Sequence, residues 1–540
     1  MVASGLLLFL FLVYSHVAIW HSDVWAHLKH GQWIVEHKQL PDSEPFSPFS
    51  NEPEMYVPWL AQVIYYSVYQ TGAWLAGGND LRQLAGGVTL LQLLHGVVVA
   101  LRFAFLFVAF RRLANSAWLA ILGIFLVLAF NLGLLGIQRP EKFGEFYFAM
   151  LMVPLARREL SRRAMFLLPV LFVLWANTHG SFLIGLGFMG VLLVGRVAEW
   201  CWAQKQWSVV AAWGDLQTRR FLVILLGATV AVSLLNPHGP LLLWKISEVS
   251  QHPNVATMKE WAPLDFTQPT GGHLGWLMVL GLVVGTQVFS PRWMSPTQLL
   301  LLVVFALPPL LSQRLMSWWV MVLPWVVLPL WQAIGDRWAW KEPLRNLRPN
   351  HRNTMIVVGF VGVAIMWSPA MTWVLRGHPT PLSKSLSAAT PWRLAWQLQR
   401  PDNTRVQAYP KLDAVLAEWG DANKKYRGCI WASESVADFL LWRLADEIPL
   451  VVYSHVHLFS ADHWERHLQI ARGQNEWETL LEDYQVNLVV FEPALWPQLA
   501  QKIRRSDNWT LLVDETRSPE KRNPRTQLLI AVRNKHVEKS

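Results

Sequence analysis

A polytopic α-helical membrane protein carrying a C-terminal extracytoplasmic α/β domain is the fold class this sequence predicts, on three observations. Only 16% of the 540 residues are charged and 53% are hydrophobic, whereas soluble domains carry roughly 25% charged residues. The apolar residues gather in runs of about 17 or more, long enough to cross a bilayer. After the last such run, near residue 380, the composition changes to that of a soluble domain. The 32 tryptophans fit this division, because indole rings favour membrane interfaces.

The first apolar run, Leu6 to Trp20, lacks the basic leader and small-residue cleavage site of a signal peptide and reads as a retained first helix. It ends at His21-Ser22-Asp23-Val24-Trp25-Ala26-His27-Leu28, where a carboxylate can sit at the membrane surface without full burial. Residues 21–57 are polar and proline-rich, which predicts a loop. The stretch from Trp59 to Trp74 is aromatic and amphipathic, suited to lying along the interface. Spans are expected at 83–110, 116–136, 143–156, 164–179, 181–198, 221–235, 274–290, 296–312, 315–334 and 354–374. With the first helix they make about eleven helices of roughly 20 residues each. The expected domains are therefore 1–378, in the membrane with a first outer loop at 21–82, and 379–540, outside it.

Charge sets the orientation. With the N-terminus cytoplasmic, one set of loops collects Arg111-Arg112, Arg157-Arg158, Arg162-Arg163, Lys205, Arg219-Arg220, Arg292 and the run from Arg337 to Arg352. The opposite loops hold few cations, notably Lys142, Lys245 and Arg314, which is the positive-inside asymmetry. The net charge of +10 is thus a cytoplasmic collar and not a nucleic-acid surface. An odd span count places the tail outside. There the pattern alternates: strand-like 429–432, helical 435–445, strand-like 450–453, helical 461–484, strand-like 487–491, helical 496–505, then strands at 509–513 and 527–532, a small α/β layer. Cys201 and Cys429 fall on opposite sides of the membrane, so no disulfide framework is expected.

With that topology, unusual polar residues fall on one face: Asp23 and His27, Arg139-Pro140-Glu141-Lys142, Asn177-Thr178-His179-Gly180, Asn236-Pro237-His238-Gly239, Lys259-Glu260-Trp261 and Gln313-Arg314. One carboxylate among several cations and hydrogen-bonding groups suits a phosphorylated lipid, with cations on the phosphate and an acid to activate an acceptor. Taken singly, each motif also has an ordinary reading, as a helix-end turn or a snorkelling anchor.

The order Asp23-Val24-Trp25-Ala26-His27-Leu28, Gly31-Gln32-Trp33, Leu40-Pro41, Glu44-Pro45-Phe46-Ser47, Trp59-Leu60, Arg139-Pro140, Trp175-Ala176-Asn177-Thr178-His179-Gly180 and Asn236-Pro237-His238-Gly239 resembles the bacterial integral-membrane glycosyltransferases of the GT-C superfamily. It is closest to the branch similar to the lipid A and protein mannosyl transferases. The resemblance implies a multi-pass protein of the bacterial inner (plasma) membrane, a polyprenyl-phosphate sugar donor and an extracytoplasmic acceptor. It implies an acid after the first helix as base or metal ligand, which carries over onto Asp23. No cofactor is required by it, although a divalent metal is compatible. Arg314, Lys142 and Arg139 would receive the departing lipid phosphate, and His27, Asn177, His179 and His238 would shape the sugar pocket. Glu44 stands where many members have Asp and is included among the substrate-binding candidates; Val436-Ala437 replaces a glycine pair.

Two other signals stand apart. His455-Val456-His457 with His463, Glu465 and His467 is the one histidine-rich patch, and His463 and His467, at i and i+4, have the spacing of a metal-binding pair or of solvated helix residues. A transporter or flippase of a lipid-linked amphiphile is the rival reading, with a non-catalytic scaffold as a third; a transporter should place charges within its spans.

Overall fold

The computed structural model describes residues 2–20, 23–50, 58–157, 159–205, 208, 212–267, 272–340, 351–399, 409, 412, 428–514 and 528–534. His21-Ser22, Pro53, Arg158, the cations from Lys341 to Arg348 and the start of the last strand at Gln527 lie outside them. The helices are α1 (Val2–His16), α2 (Asp23–His37), α3 (Trp59–Ala76), α4 (Asp80–Ala114), α5 (Ala117–Leu135), α6 (Glu141–Leu155), α7 (Arg162–Thr178) and α8 (Phe182–Gln204). They continue with α9 (Leu216–Leu235), α10 (Leu241–Ser250), α11 (Gly272–Phe289), α12 (Pro296–Ala306), α13 (Met316–Arg337), α14 (His351–Trp367), α15 (Pro369–Arg376) and α16 (Trp392–Gln399).

Among the described residues, five helices are long and apolar enough to cross a membrane, or six if the bent pair α14 and α15 is one span. α1, α11 and the segment Pro296–Leu311 are shorter apolar helices. Polar caps set several starts. Ser116, Ser161 and Asp215 accept the N–H of the third residue on, and Ser295 with Gln298 forms a capping box before α12. α4 has 35 residues, roughly 52 Å at 1.5 Å per residue, more than a hydrocarbon core of about 30 Å.

The chain divides into two compact units: Met1–Val17, Gln92–Gln251 and Val255–Gly377 form the first, and Ala18–Leu91, His252–Asn254 and His378–Ser540 the second. In the first unit α13 is the most enclosed span, 72% buried where the other four reach at most 50%. Around it Phe148, Trp175, Phe188 and Trp318 interlock, with ring centroids 5.1 Å apart for Phe148–Phe188 and 5.6 Å for Phe148–Trp318.

The second unit differs in two ways from the expected division. Residues 18–91 cluster with the tail instead of forming only a loop of the membrane domain. And the polar segment after the first helix is not a loop from its start: Asp23 opens α2. Trp25 and Leu28, three residues apart on one face of α2, are both buried. The partner of this face is α17 (Glu434–Leu444), where Phe439 meets Trp25 edge-on at 4.8 Å. Lys29 pairs with Asp446 at 2.6 Å, and Tyr69 of α3 packs on Trp442 at 5.2 Å.

The tail sheet has the order β1-β2-β4-β3, with β1 (Cys429–Ala432) parallel to β2 (Val486–Phe491), and β4 (Leu529–Arg533) antiparallel to β2 and to β3 (Trp509–Asp514). β2 is buried throughout, as the apolar run from Leu488 to Phe491 requires of a central strand. The expected strand at 450–453 is only a bridge from Leu450 to Ile430. The expected helix at 461–484 is two, α18 (Ala461–Ala471) and α19 (Trp477–Asp483), broken at Gly473 with φ of 59°. α20 (Pro497–Arg505) precedes β3.

Candidate functional site

Asp23, His27 and Glu44 belong to the second unit, and Arg139, Lys142, Asn177, His179, His238 and Arg314 to the first.

In the second unit Asp23 begins α2, where a carboxylate complements the positive end of the helix dipole. One turn on, His27 and His30 point into a group of imidazoles. His455 lies 5.0 Å from His27 and 4.9 Å from His30 between ring centroids, and His457 lies 6.0 Å from His455. Glu44 is buried beneath them. Its Oε2 is 3.3 Å from His30 Nε2, and its Oε1 accepts the Phe46 N–H at 2.8 Å. Burial works to raise this carboxyl, but hydrogen bonds from His30, Tyr453 and Phe46 outweigh it and hold Glu44 below its ordinary value. Burial lowers His457 to about 4, helped by His252 and His30. His455 is held well below 6.5 by burial and by His30, His27 and His457, with Asp23 pulling the other way. Both rings are therefore neutral at neutral pH. Glu44 thus sits among the α2 histidines, while Gln62, His30, Tyr453, His252, His455 and His457 are neighbours that no sequence motif had placed there.

In the first unit the cations are already engaged. Arg314 spans two acids, donating to Glu141 at 3.2 Å and Glu260 at 3.1 Å, with its guanidinium over the Trp261 ring at 5.0 Å. Arg139 donates to the other oxygen of Glu260 at 2.7 Å. Lys142 donates to Glu145 at 3.0 Å, and Glu145 also accepts from Arg102. Four cations thus meet three acids, and Arg102 and Glu145 are buried within α4 and α6. Arg314, with 26% of its side chain exposed, is more open than Arg139 at 12% or Lys142 at 7%.

Asn177, His179 and His238 are bound into helix ends. Asn236 Nδ2 donates to Asn177 Oδ1 at 3.1 Å, and Asn177 Nδ2 donates to the Val173 and Leu235 carbonyls, tying the C-terminal ends of α7 and α9. The His238 N–H donates to Asn236 Oδ1 at 3.0 Å. The Trp175 indole donates to Ser181 Oγ at 3.0 Å, which lies 2.8 Å from His179 Nδ1; the Ser181 N–H also donates to that nitrogen at 3.1 Å. Two donors at Nδ1 leave the ring proton on Nε2.

The pair His463 and His467 is neither solvated nor open to a metal. His463 spends both ring nitrogens on the Val451 carbonyl, at 2.8 Å, and the Tyr484 hydroxyl, at 3.0 Å. His467 is fully buried between Trp431 and Trp464, 3.5 Å from Glu434. Among the described residues, no group of three or more His, Cys, Asp or Glu side chains is placed to hold a metal ion.

No protein-family model matches the chain, and no curated protein matches it. Solved structures do. The oligosaccharyltransferase AglB of Archaeoglobus fulgidus, in complex with an inhibitory peptide and a dolichol-phosphate, matches with TM-score 0.52 at 11% identity, over 95% of this chain and 73% of its own. The apo form of that enzyme matches with TM-score 0.50 at 12% identity, over 92% and 71%. ArnT from Cupriavidus metallidurans bound to undecaprenyl phosphate covers 99% of this chain and 98% of its own at 13% identity and TM-score 0.47. The chain shares the fold of the oligosaccharyltransferase AglB of Archaeoglobus fulgidus.

Proposed function

We propose that the protein transfers a sugar from a polyprenyl-phosphate donor to an extracytoplasmic acceptor, a glycan, lipid or protein. The observation that carries this reading is the likeness in fold to AglB over 95% of the chain, together with an acid opening the first helix after α1. That protein's structure contains a lipid phosphate and a peptide, which supports the same two classes of ligand here. The reading includes about eleven spans, counting the shorter helices, an N-terminus in the bacterial cytoplasm and the tail outside.

In the proposed reaction Asp23 takes the proton of an acceptor hydroxyl or amine as its lone pair attacks the anomeric carbon. The bond from that carbon to the phosphate oxygen breaks with inversion, and its electron pair leaves on the lipid phosphate. Arg314, the most open of the three cations and planar enough for bidentate contact, is assigned to that phosphate, with Arg139 beside it. Lys142, held by Glu145, acts through charge at longer range. His27, Glu44, Asn177, His179 and His238 are assigned to shaping the substrate site, the last three by fixing the ends of α7 and α9. No step is routed through a metal.

The buried pair of Arg102 in α4 and Glu145 in α6 favours the rival reading, a transporter of the same lipid, because charges inside spans are where transporters keep them. Purified protein in liposomes with a radiolabelled polyprenyl-phosphate sugar separates the two. Release of free polyprenyl phosphate that depends on added acceptor supports transfer. Movement of intact donor between leaflets with no such release rejects it.

A further inference from the structure

We propose that the bend between α14 and α15 holds one anionic phospholipid, its headgroup on Arg376 and one acyl chain along the glycines of α14. The two helices are bent by 58° at Ser368-Pro369. The inner angle of the bend encloses a groove of about 670 Å³, lined by Gly359, Gly362, Val363 and Met366 on one wall and Thr372, Leu375 and Arg376 on the other. That volume lies within the range of about 300 to 1,000 Å³ typical of ligand sites.

The groove exists because of two local features. Pro369 cannot continue the hydrogen-bonding of α14, and Ser368 caps the new helix by accepting the Met371 N–H. Gly359 and Gly362 lack side chains on the inner wall, and a Cβ at either would meet nothing within 4 Å. Bulkier residues there would close the space.

Its depth in the membrane follows from helix length. α14 has 17 residues, roughly 25 Å at 1.5 Å per residue, close to the thickness of the hydrocarbon core. Irregular backbone is not tolerated against lipid tails, so the break at Ser368 belongs at the headgroup level. Exposed Trp367 there has the position of an interfacial anchor. α15 then runs at a steep angle to α14, and Arg376 in its last turn is exposed. An apolar channel beside the hydrocarbon, ending in a cation at the surface, is complementary to an anionic lipid; a zwitterionic one brings its own ammonium to the same guanidinium.

The test uses the full chain in nanodiscs of equal phosphatidylglycerol and phosphatidylethanolamine, followed by extraction into mild detergent and native mass spectrometry. One retained phosphatidylglycerol is expected, favoured about fivefold over phosphatidylethanolamine by the single interfacial cation. Arg376→Glu should abolish the preference while leaving a lipid bound. Gly362→Trp, which fills open space, should remove the bound lipid. Equal retention of the two lipids by the parent, an unchanged preference in Arg376→Glu, or an unchanged bound lipid in Gly362→Trp would each overturn the proposal.

Discussion

Acid should loosen the second unit through its buried imidazoles, and the size of the effect follows from His457. Its folded value is about 4 against 6.5 unperturbed, so the unfolded chain binds the proton first as pH falls. Stability therefore drops from about pH 6.5 downward and stops changing below the folded value. Between pH 7 and pH 5 the linkage integral for this one group is roughly 2 kcal/mol. His455, shifted the same way, adds to it. Glu44 has a lowered value and is ionised in both states across this window, so its contribution is lost only at more acid pH. Hydrogen exchange of the full chain, followed by mass spectrometry on peptides covering residues 450–468 and corrected for intrinsic rates, measures the opening free energy. Protection is expected to fall by at least about twentyfold from pH 7 to pH 5, given that roughly 1.4 kcal/mol is tenfold. His457→Gln, which cannot titrate at that position, should reduce that dependence to the part His455 supplies. Protection equal at both pH values, or an acid loss unchanged in His457→Gln, would refute the reasoning.

Other substitutions probe the first unit and the topology. Arg314→Lys keeps the charge but loses the fork that bridges Glu141 and Glu260, so donor affinity by equilibrium binding should weaken roughly tenfold; unchanged affinity would remove Arg314 from the phosphate site. Asn236→Ala leaves Asn177 Oδ1 and the His238 N–H without their partner between α7 and α9, and should lower unfolding stability by about 1 to 3 kcal/mol in thermal melts; an unchanged melting temperature would remove that link. A cysteine at Ser460, which is exposed before α18, should react with an impermeant maleimide in intact cells; reaction only after permeabilisation would reverse the orientation.

The membrane character was legible from composition because bilayer crossing needs only length and apolarity. The helix at α2 was not, because residues 23–37 mix apolar and polar side chains and its face becomes apolar only by packing on α17. Leu450 to Tyr453 reads as a strand, yet on the open edge of β1 it makes only the Leu450–Ile430 bridge, with the Ile430 N–H donating to the Pro449 carbonyl and the Val451 N–H to the Ile430 carbonyl. At the candidate site, Arg139, Lys142 and Arg314 are legible in the sequence together with Glu141 and Glu260 on the same face, but Arg102 and Glu145 are not placed there by any motif. Glu145 and Arg102 stand alone within apolar runs, which is itself a signal that each has a buried partner. The imidazole group around His455 joins residues more than 400 positions apart, and no local spacing announces it.

Sugar transfer by Asp23→Asn tests the central claim most directly. The substitution keeps size and most hydrogen bonding but removes the basic lone pair, and general-base assistance is worth roughly 10² to 10⁴ in rate. Assayed with donor and acceptor in liposomes, the folded variant is predicted to lose about that factor in kcat while binding donor as the parent does. Transfer within a few-fold of the parent rate would contradict the assignment of Asp23 as the base.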